Sequence, residues 1–353
     1  MKKNVVKPKN KRLGIKIAYR ALAVFILIAV VIGGIFFIKI VSPAFKADKI
    51  TYIYIDEKKD YEALLNQLEM QSQIKDIHLF KRLASVIKYP QNMKSGKYEI
   101  KPRLNYLGLI RMLRSGNQTP VKLTFNNIRL KKDFAERVGD QFMFGPEVLL
   151  NELNNPDVCQ SFGFDTTTII CMFIPNTYEV YWTISVTQFF ERMKKEYDRF
   201  WTSERLRKAG ELSLNPVEVS ILASIVEEET ADKSEYPIIA GLYINRLRKS
   251  MPLQADPTVK FAVGDFGLRR ILYVHRDVDS PYNTYKNQGL PPGPIRIPSI
   301  ASIDAVLNYA HHNYLYMVAK DDFSGRHNFT ATFSEHNQNV GKYHEALNRN
   351  NIR

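Results

Sequence analysis

The strongest hydrophobic pattern in the chain is an uninterrupted apolar run close to its amino terminus. Residues 21–38 contain no charged side chain, and apolar character continues through Ile40 and Val41. A helix of about 20 apolar residues is long enough to cross the hydrocarbon core of a membrane. The pattern therefore predicts a transmembrane helix over residues 21–41.

Residues 1–20 form a basic tail, with eight Lys or Arg and no acidic residue. Because positive charge accumulates on the cytoplasmic side of membrane segments, we expect a cytoplasmic amino terminus and a remainder that lies outside. A cleaved signal peptide would have a shorter apolar core before a small-residue cleavage site, and residues 42–44 match such a site poorly. The sequence thus predicts an uncleaved, single-pass anchor.

After the apolar run, short alternating patterns predict a small α+β module over residues 50–125. Residues 51–55 have strand composition, and Asp60 precedes a helical run with Leu64, Leu65 and Leu68 on one face. The further predicted elements are a helix at 78–86, a strand at 97–100, a helix at 106–114 and a strand at 121–125. Turn-forming residues at 116–120 place the end of the module near residues 120–130.

Residues 126–353 have a mixed pattern that predicts a larger, mainly helical α+β domain. The predicted helices cover 132–153, 186–208, 216–230, 235–249 and 301–310, and residues 315–319 resemble a strand. At 353 residues and 45% hydrophobic content, the chain can form one large or two ordinary domains with real cores. The overall prediction is therefore an α+β protein with an amino-terminal membrane helix.

The helix predicted at 216–230 carries the most informative polar residue. It begins with a cap at Asn215 and a proline at its first position, and its apolar side chains at 221, 222, 225 and 226 form one stripe. At about 100° per residue, Glu229 falls near the centre of that stripe, whereas Glu227 points nearly opposite.

A carboxyl on an apolar face loses hydration, so its pKa rises toward the range of a general acid. The alternative is that residues 227–229 form an ordinary solvated helix end that closes at Thr230.

Other kinds of chemistry find little support in the sequence. The chain has no GxSxG elbow, HExxH motif, P-loop or Rossmann glycine pattern, so no cofactor is predicted. Its clustered histidines, at 311, 312, 327 and 336, fit no common zinc spacing, so no metal is predicted. Cys159 and Cys171 could form a disulfide in an exported domain, but their spacing does not decide this. The net charge of +14 comes largely from the basic tail, and no nucleic-acid motif follows, so nucleic acid is not an expected partner.

Three segments beyond Glu229 combine turn-forming residues with uncharged hydrogen-bonding groups. They lie at 253–258, 282–285 and 289–295. Stiff proline turns, aromatic faces and amide groups form a suitable lining for sugar rings. The alternative is that these segments are surface turns whose tyrosines are partly buried in packing.

Taken together and in order, these segments resemble the MltG (YceG-like) endolytic murein transglycosylases of bacteria. The resemblance rests on residues 223–230, 244–247, 253–259, 282–285 and 290–295, and on a closing pattern within 327–337. The module at 50–125 resembles the LysM-like subdomain of the family. The sequence departs from the family pattern at Asn176, where Asp is usual, and at 296–299, where Asn-Pro-Gly is commoner.

The resemblance implies cleavage of peptidoglycan glycan strands between MurNAc and GlcNAc, leaving a 1,6-anhydroMurNAc end. In the family the last acid of the motif is catalytic, and here this acid is Glu229. It implies attachment to the bacterial inner membrane, with residues 126–353 as the catalytic domain and peptidoglycan synthases as possible further partners. Our hypothesis is that Glu229 acts as acid and then base, and that six residues bind the glycan or support Glu229: Asn245, Gln254, Asp256, Asn283, Tyr285 and His336.

Other roles are left open by the sequence. Asn245 could instead hold structure by a hydrogen bond, and Asp256 could merely begin a turn. A membrane-tethered scaffold that binds peptidoglycan without cutting it is the main alternative function. A hydrolytic muramidase is a third.

Overall fold

The computed structural model describes residues 11–126, 128–268 and 270–350. Its helices and small two-stranded sheets make the protein α+β. The chain divides into two compact units, of which the first ends at Pro120 and the second begins at Val121.

Helix α1 (Lys11–Val41) contains the predicted membrane segment. Within it, Ile15–Val41 is long enough and apolar enough to cross a membrane. Its apolar side chains are exposed, including Phe25 at 68% and Leu27 at 63%, in contrast to those of a core helix. The side of the membrane on which each end lies stays a prediction.

The rest of the first unit follows the predicted order of elements closely. It consists of β1 (Thr51–Ile55), α2 (Tyr61–Met70), α3 (Ile77–Val86), β2 (Gly96–Ile100) and α4 (Tyr106–Ser115). The strands pair antiparallel, with Ile53 opposite Tyr98. Asp60 caps α2 as predicted, since its carboxylate accepts hydrogen bonds from two backbone N–H groups of the first turn. Leu64, Leu65 and Leu68 are buried in the unit's core.

The second unit contains the remaining elements. In chain order they are β3 (Val121–Thr124), α5 (Lys131–Gly139), α6 (Gly145–Leu153), α7 (Pro156–Ser161), β4 (Thr177–Val180), α8 (Val186–Phe200), α9 (Ser203–Glu211), α10 (Pro216–Glu229), α11 (Tyr236–Arg248), α12 (Asp256–Val263), α13 (Tyr273–Arg276), α14 (Ile300–Leu307), β5 (Tyr316–Ala319), β6 (His327–Thr330) and α15 (Phe333–Arg349). Strand β3 pairs with β4 and β5 pairs with β6, both antiparallel. The strand predicted at 121–125 therefore belongs to this unit.

Two of the long predicted helices are each divided in the structure. The helix expected at 132–153 breaks into α5 and α6 because Gly145 adopts a left-handed conformation (φ +75°) and Pro146 follows it. The helix expected at 186–208 breaks into α8 and α9 because Thr202 caps a new helix with its hydroxyl. The segment at 253–258, expected as a turn, leads directly into α12.

Helix α10 lies at the centre of the second unit and is buried on all sides. Every residue from 219 to 226 is buried. The two serines among them are satisfied inside the core, since Ser220 donates to the carbonyl of Pro216 and Ser224 to that of Ile221. The predicted single apolar stripe is therefore wrong, and the face of the helix does not by itself distinguish the acids at 227–229.

Cys159 and Cys171 are both free and buried in the core of the second unit. Burial raises the pKa of each thiol, so both are held in the protonated, unreactive form.

Candidate active site

The three acids at the end of α10 have different partners. The Glu227 carboxylate accepts hydrogen bonds from the backbone N–H of Ser299, at 2.6 Å, and from the hydroxyl of Ser302, at 2.8 Å. The Glu228 carboxylate pairs with two arginines, Arg129 and Arg296, at 2.7 Å each. Both acids therefore anchor other parts of the chain to the end of the helix, in contrast to the alternative of an ordinary solvated helix end.

These contacts give a role to one of the departures from the family pattern. Arg296 begins the segment 296–299 that departs from the family pattern, and its guanidinium binds Glu228 and lies 3.8 Å from Glu227. The backbone of Ser299, in the same segment, binds Glu227. Residues 296–299 are thus fixed to the helix end by charge and hydrogen bonds. The other departure, Asn176, accepts a hydrogen bond from the backbone N–H of Thr177.

Glu229 is the last residue of α10, and Thr230 caps the helix after it. Among the described residues Glu229 has no ion pair, and its carboxylate accepts a hydrogen bond from the hydroxyl of Tyr243. Desolvation raises the pKa of Glu229 to about 8, although the Tyr243 hydrogen bond opposes this by stabilising the charged form. Glu229 is therefore protonated near neutral pH, as a general acid must be.

A cavity of about 530 Å³ opens beside Glu229, within the range usual for ligand sites. Four of the residues predicted to support the acid line this cavity with it: Gln254, Asp256, Tyr285 and His336. The Tyr285 hydroxyl donates to the Asp256 carboxylate at 2.6 Å. Asp256, the first residue of α12, thus has a defined partner facing the cavity.

The two predicted asparagines have structural partners instead and do not line this cavity. The side-chain amide of Asn283 is fully buried and donates to the carbonyls of Arg276 and Val278, both at 2.8 Å. The amide of Asn245 donates to the carbonyls of His312, at 2.7 Å, and Tyr314. Both amides donate to backbone carbonyls of other segments, so they hold loops in place.

Two cavity residues that the sequence analysis missed lie on α11. Tyr243 and Arg246 are buried, and their spacing of three residues places them on one face of the helix. Polar residues at this spacing in an otherwise apolar helix are the signal that could have revealed them.

Arg246 connects the segments around the cavity. Its Nε donates to the carbonyl of Leu315 at 2.7 Å. Its Nη1 donates to the carbonyls of Pro252 and Leu253, both at 2.9 Å, and to the side-chain oxygen of Gln254 at 3.2 Å. The buried cation thereby ties the start of β5 and the approach to α12 to the helix that carries Tyr243.

The wall formed by β5 and α15 contributes His336, whose ring stacks on that of Tyr316 at 5.3 Å between centroids. The Nδ1 atom of His336 is enclosed, yet it has no hydrogen-bond partner among the described residues. Desolvation, followed by the positive charge of Arg246, lowers the pKa of His336, so the ring is neutral at neutral pH. The cavity wall therefore holds an uncharged imidazole ring whose enclosed Nδ1 has no protein partner among the described residues.

Glu229 also borders a second cavity, of about 560 Å³. The residues around it include Glu228, Lys233, Tyr236 and Arg296. The acid therefore borders two cavities. Within the part of the chain that the structure describes, no group of three or more potential metal ligands is present.

The sequence of the chain matches a known protein family. The model of the YceG-like family matches residues 53–342, most of the chain. The chain belongs to the YceG-like family. Its relatives include two proteins named endolytic murein transglycosylase, from Bacillus subtilis (strain 168) and Streptococcus pneumoniae (serotype 2, strain D39).

Similarity to these YceG-like relatives is confined to part of each chain. The Bacillus protein is 44% identical over 142 residues, which are 39% of this chain and 39% of the relative. The Streptococcus protein is 36% identical over 140 residues, which are 38% of this chain and 25% of the relative. A crystal structure of a YceG-like protein from Listeria monocytogenes is 26% identical, covers 83% of this chain and 99% of its own, and has a TM-score of 0.49.

Proposed function

We propose that this protein is an endolytic peptidoglycan lytic transglycosylase that cleaves the MurNAc–GlcNAc bond and leaves 1,6-anhydroMurNAc ends. The observation that carries the proposal is the single carboxyl of Glu229, protonated near neutral pH at the edge of a polar cavity. Family membership and the names of the two relatives support it. The names of both relatives include the word murein, so murein is the proposed substrate of this chain.

The proposed reaction needs one acid that acts twice. Protonated Glu229 donates its proton to the glycosidic oxygen, and the bond between that oxygen and the anomeric carbon of MurNAc breaks. The C6 hydroxyl of the same MurNAc then attacks the anomeric carbon, and the Glu229 carboxylate accepts the hydroxyl proton. The intramolecular attack closes the anhydro ring without water, and the acid returns to its starting state.

Tyr243 fits this cycle because its hydroxyl stabilises the carboxylate form that exists between the two proton transfers. The two cavities that share Glu229 support cleavage within a strand, since sugar units can lie on both sides of the acid. Gln254, Asp256, Tyr285 and His336 are the proposed glycan contacts.

The remaining parts of the chain have proposed roles outside the chemistry. We assign α1 as a single-pass inner-membrane anchor with a cytoplasmic amino terminus, which places the catalytic domain outside the cytoplasm. The small α+β unit that contains β1 and β2 is the proposed LysM-like module and would hold glycan. Peptidoglycan synthases are proposed partners only through the family resemblance.

The test is product analysis with the full chain in detergent micelles and purified peptidoglycan. Mass spectrometry should find anhydro-ended fragments with the wild type and with Glu191→Gln, an exposed control on α8, and none with Glu229→Gln. If Glu229→Gln unfolds at a temperature no lower than that of the wild type and Glu191→Gln, its loss of product reflects chemistry and not unfolding. Absence of fragments with every protein would favour the non-catalytic scaffold, and reducing ends would favour a muramidase.

A further inference from the structure

The lining of the cavity beside Glu229 carries an excess of positive charge. Three arginines line it, Arg246, Arg270 and Arg276, against two acids, Glu229 and Asp256. One of these acids, Glu229, is protonated near neutral pH. A neutral sugar backbone gains little from such a field, whereas an anion is drawn into it.

The three arginines are not equivalent. Arg246 is 6% exposed, and its Nε and Nη1 donate to three backbone carbonyls and to Gln254. Its guanidinium therefore serves the fold. Arg270 and Arg276 lie in the segment between α12 and the loop at 282–285, and they carry the charge that is available to a ligand.

Arg276 is held in position without being saturated. Its guanidinium lies over the ring of Tyr285, with 4.6 Å between the guanidinium carbon and the ring centroid, and its Nη2 is 3.6 Å from the Asp256 carboxylate. The carboxyl end of α13, where Arg276 lies, is fixed because its carbonyl accepts a hydrogen bond from Asn283. The Nε of Arg276 is enclosed and has no partner among the described residues. The contact with the ring holds the guanidinium in place, and the side chain is 35% exposed, so its outer nitrogens can donate to a planar anion.

Arg270 lines the same cavity and is exposed. Over the ranges that the structure describes, it forms no ion pair with an acid. An arginine that lines a cavity without a protein counter-ion keeps its full charge for a ligand.

We propose that Arg270 and Arg276 form a subsite for a carboxylate borne on the lactyl side arm of the muramyl residue. This proposal rests on the proposed function, because peptidoglycan strands are the substrate that it refines. Each muramyl residue carries a lactyl ether whose carboxyl is either free or extended by a peptide with carboxylates of its own. The subsite makes the enzyme selective for strands with anionic side arms over uncharged polysaccharide of similar backbone.

The test measures binding by the full chain in detergent, in a Glu229→Gln background that prevents turnover. The probes are fluorescent glycan strands freed of phosphodiester polymers, in three forms: with stem peptides, with free lactyl carboxylates after amidase treatment, and with those carboxylates converted to methyl amides. Fluorescence anisotropy gives the Kd of each probe. The variant is Arg270→Gln with Arg276→Gln, and the control is Arg199→Gln, which removes an exposed charge from α8.

We expect the parent protein to bind at least one carboxylate-bearing probe about tenfold more tightly than the methyl amide, and the difference to shrink as salt is added. The double variant should bind all three probes like the methyl amide, whereas Arg199→Gln should keep the difference. If only the peptide-bearing strands bind more tightly than the methyl amide, the carboxylate that the subsite binds belongs to the peptide. If the amidase-treated strands also bind more tightly than the methyl amide, it belongs to the lactyl group.

Equal binding of all three probes by the parent protein would overturn the subsite, as would a double variant that keeps the parent's preference. If the double variant unfolds, Arg270→Gln alone decides the matter, because an exposed side chain contributes little to stability. Binding is measured without cleavage, so a lack of anhydro products would reject the transglycosylase and leave the subsite standing. Equal binding of the three probes by the parent protein, with anhydro products formed by the wild type, would reject the subsite and leave the transglycosylase standing.

Discussion

The hydroxyl of Tyr243 donates a hydrogen bond to the carboxylate of Glu229, from a helix that packs against the one that Glu229 ends. Two influences on the same carboxyl therefore oppose each other. Desolvation favours its neutral form, and the Tyr243 hydroxyl favours its charged form. The net result, a pKa of about 8, is suited to the two proton transfers proposed for this group.

Replacing Tyr243 with Phe should raise the pKa of Glu229, because the hydrogen bond that lowers it is removed. The rate of a general acid falls as the acid loses its proton, so the alkaline limb of kcat/KM should move to higher pH. The base step should weaken, with kcat reduced about tenfold or more. Tyr89→Phe, which removes a buried hydroxyl from the other unit, should change neither quantity. If the alkaline limb of kcat/KM in Tyr243→Phe stays in place or moves to lower pH, the Tyr243 hydroxyl does not lower the pKa of a catalytic Glu229.

Stability should depend on pH through Glu229 in a defined direction. The ordinary pKa is 4.5 and the folded value is about 8, so the unfolded chain releases this proton first and stability falls as pH rises from about 4.5 to about 8. Glu229→Gln has no titrating carboxyl at this position, so its stability should not fall in this way. Its free energy of unfolding should therefore exceed that of the wild type by an amount that grows across this pH range to ~1–3 kcal/mol. Thermal unfolding of both proteins at several pH values measures the difference. If the stability of Glu229→Gln relative to the wild type decreases as the pH rises, the pKa of Glu229 is not raised.

Sequence patterns located the elements of the first unit well because they depend on local signals. Asp60 caps a helix, and the leucines that follow it occupy one face of that helix. In the second unit the pairing of β3 with β4 joins residues more than 50 positions apart, and no local pattern reports such a contact. The division of the long helices depended on Gly145 and Thr202, whose turn and cap roles are visible in the sequence only once the boundary is known.

Arg246→Met should destabilise the protein by ~3–5 kcal/mol, because three backbone carbonyls and the side chain of Gln254 lose a buried charged donor. The matched control is Arg248→Met on the same helix, where the guanidinium lies at the surface and contacts the ring and hydroxyl of Tyr309. Arg248→Met should lower the free energy of unfolding by ~1 kcal/mol or less. Urea unfolding measures both. Equal losses would show that Arg246 is not the connection between these segments.

Asn283→Ala should lower the free energy of unfolding by ~2–3 kcal/mol, because the buried amide and its two hydrogen bonds to backbone carbonyls are lost. The control is Asn337→Ala, at an exposed position on α15, which should change the free energy of unfolding by less than ~0.5 kcal/mol. Chemical denaturation gives both values. A glycan-binding loss at unchanged stability would return Asn283 to the role that the sequence analysis gave it.

His336→Phe keeps an aromatic ring to stack on Tyr316 and removes the unpartnered nitrogen. We expect KM for glycan strands to rise about fivefold with little change in thermal stability, since no protein hydrogen bond is lost. Steady-state kinetics and a melting curve together separate the two effects. Unchanged KM would remove His336 from the ligand contacts.

The candidate site was predictable from the sequence only in part. Glu229 was singled out by a single-stripe argument that the all-round burial of α10 does not support, and the structure distinguishes it by its partners instead. Gln254, Asp256, Tyr285 and His336 lie with it in one cavity. The two asparagines look equally suited to sugar hydroxyls in the sequence, but only the fold reveals the carbonyls that already use their amides.

Because residues 219–226 of α10 are buried and the end of the helix is fixed by Glu227 and Glu228, the backbone that carries Glu229 is held in one place. If the proposed function holds, the glycan strand and not the acid must therefore move for each cleavage. Engineering of the rate would then begin with the exposed side chains around the cavity and leave the buried helix unchanged.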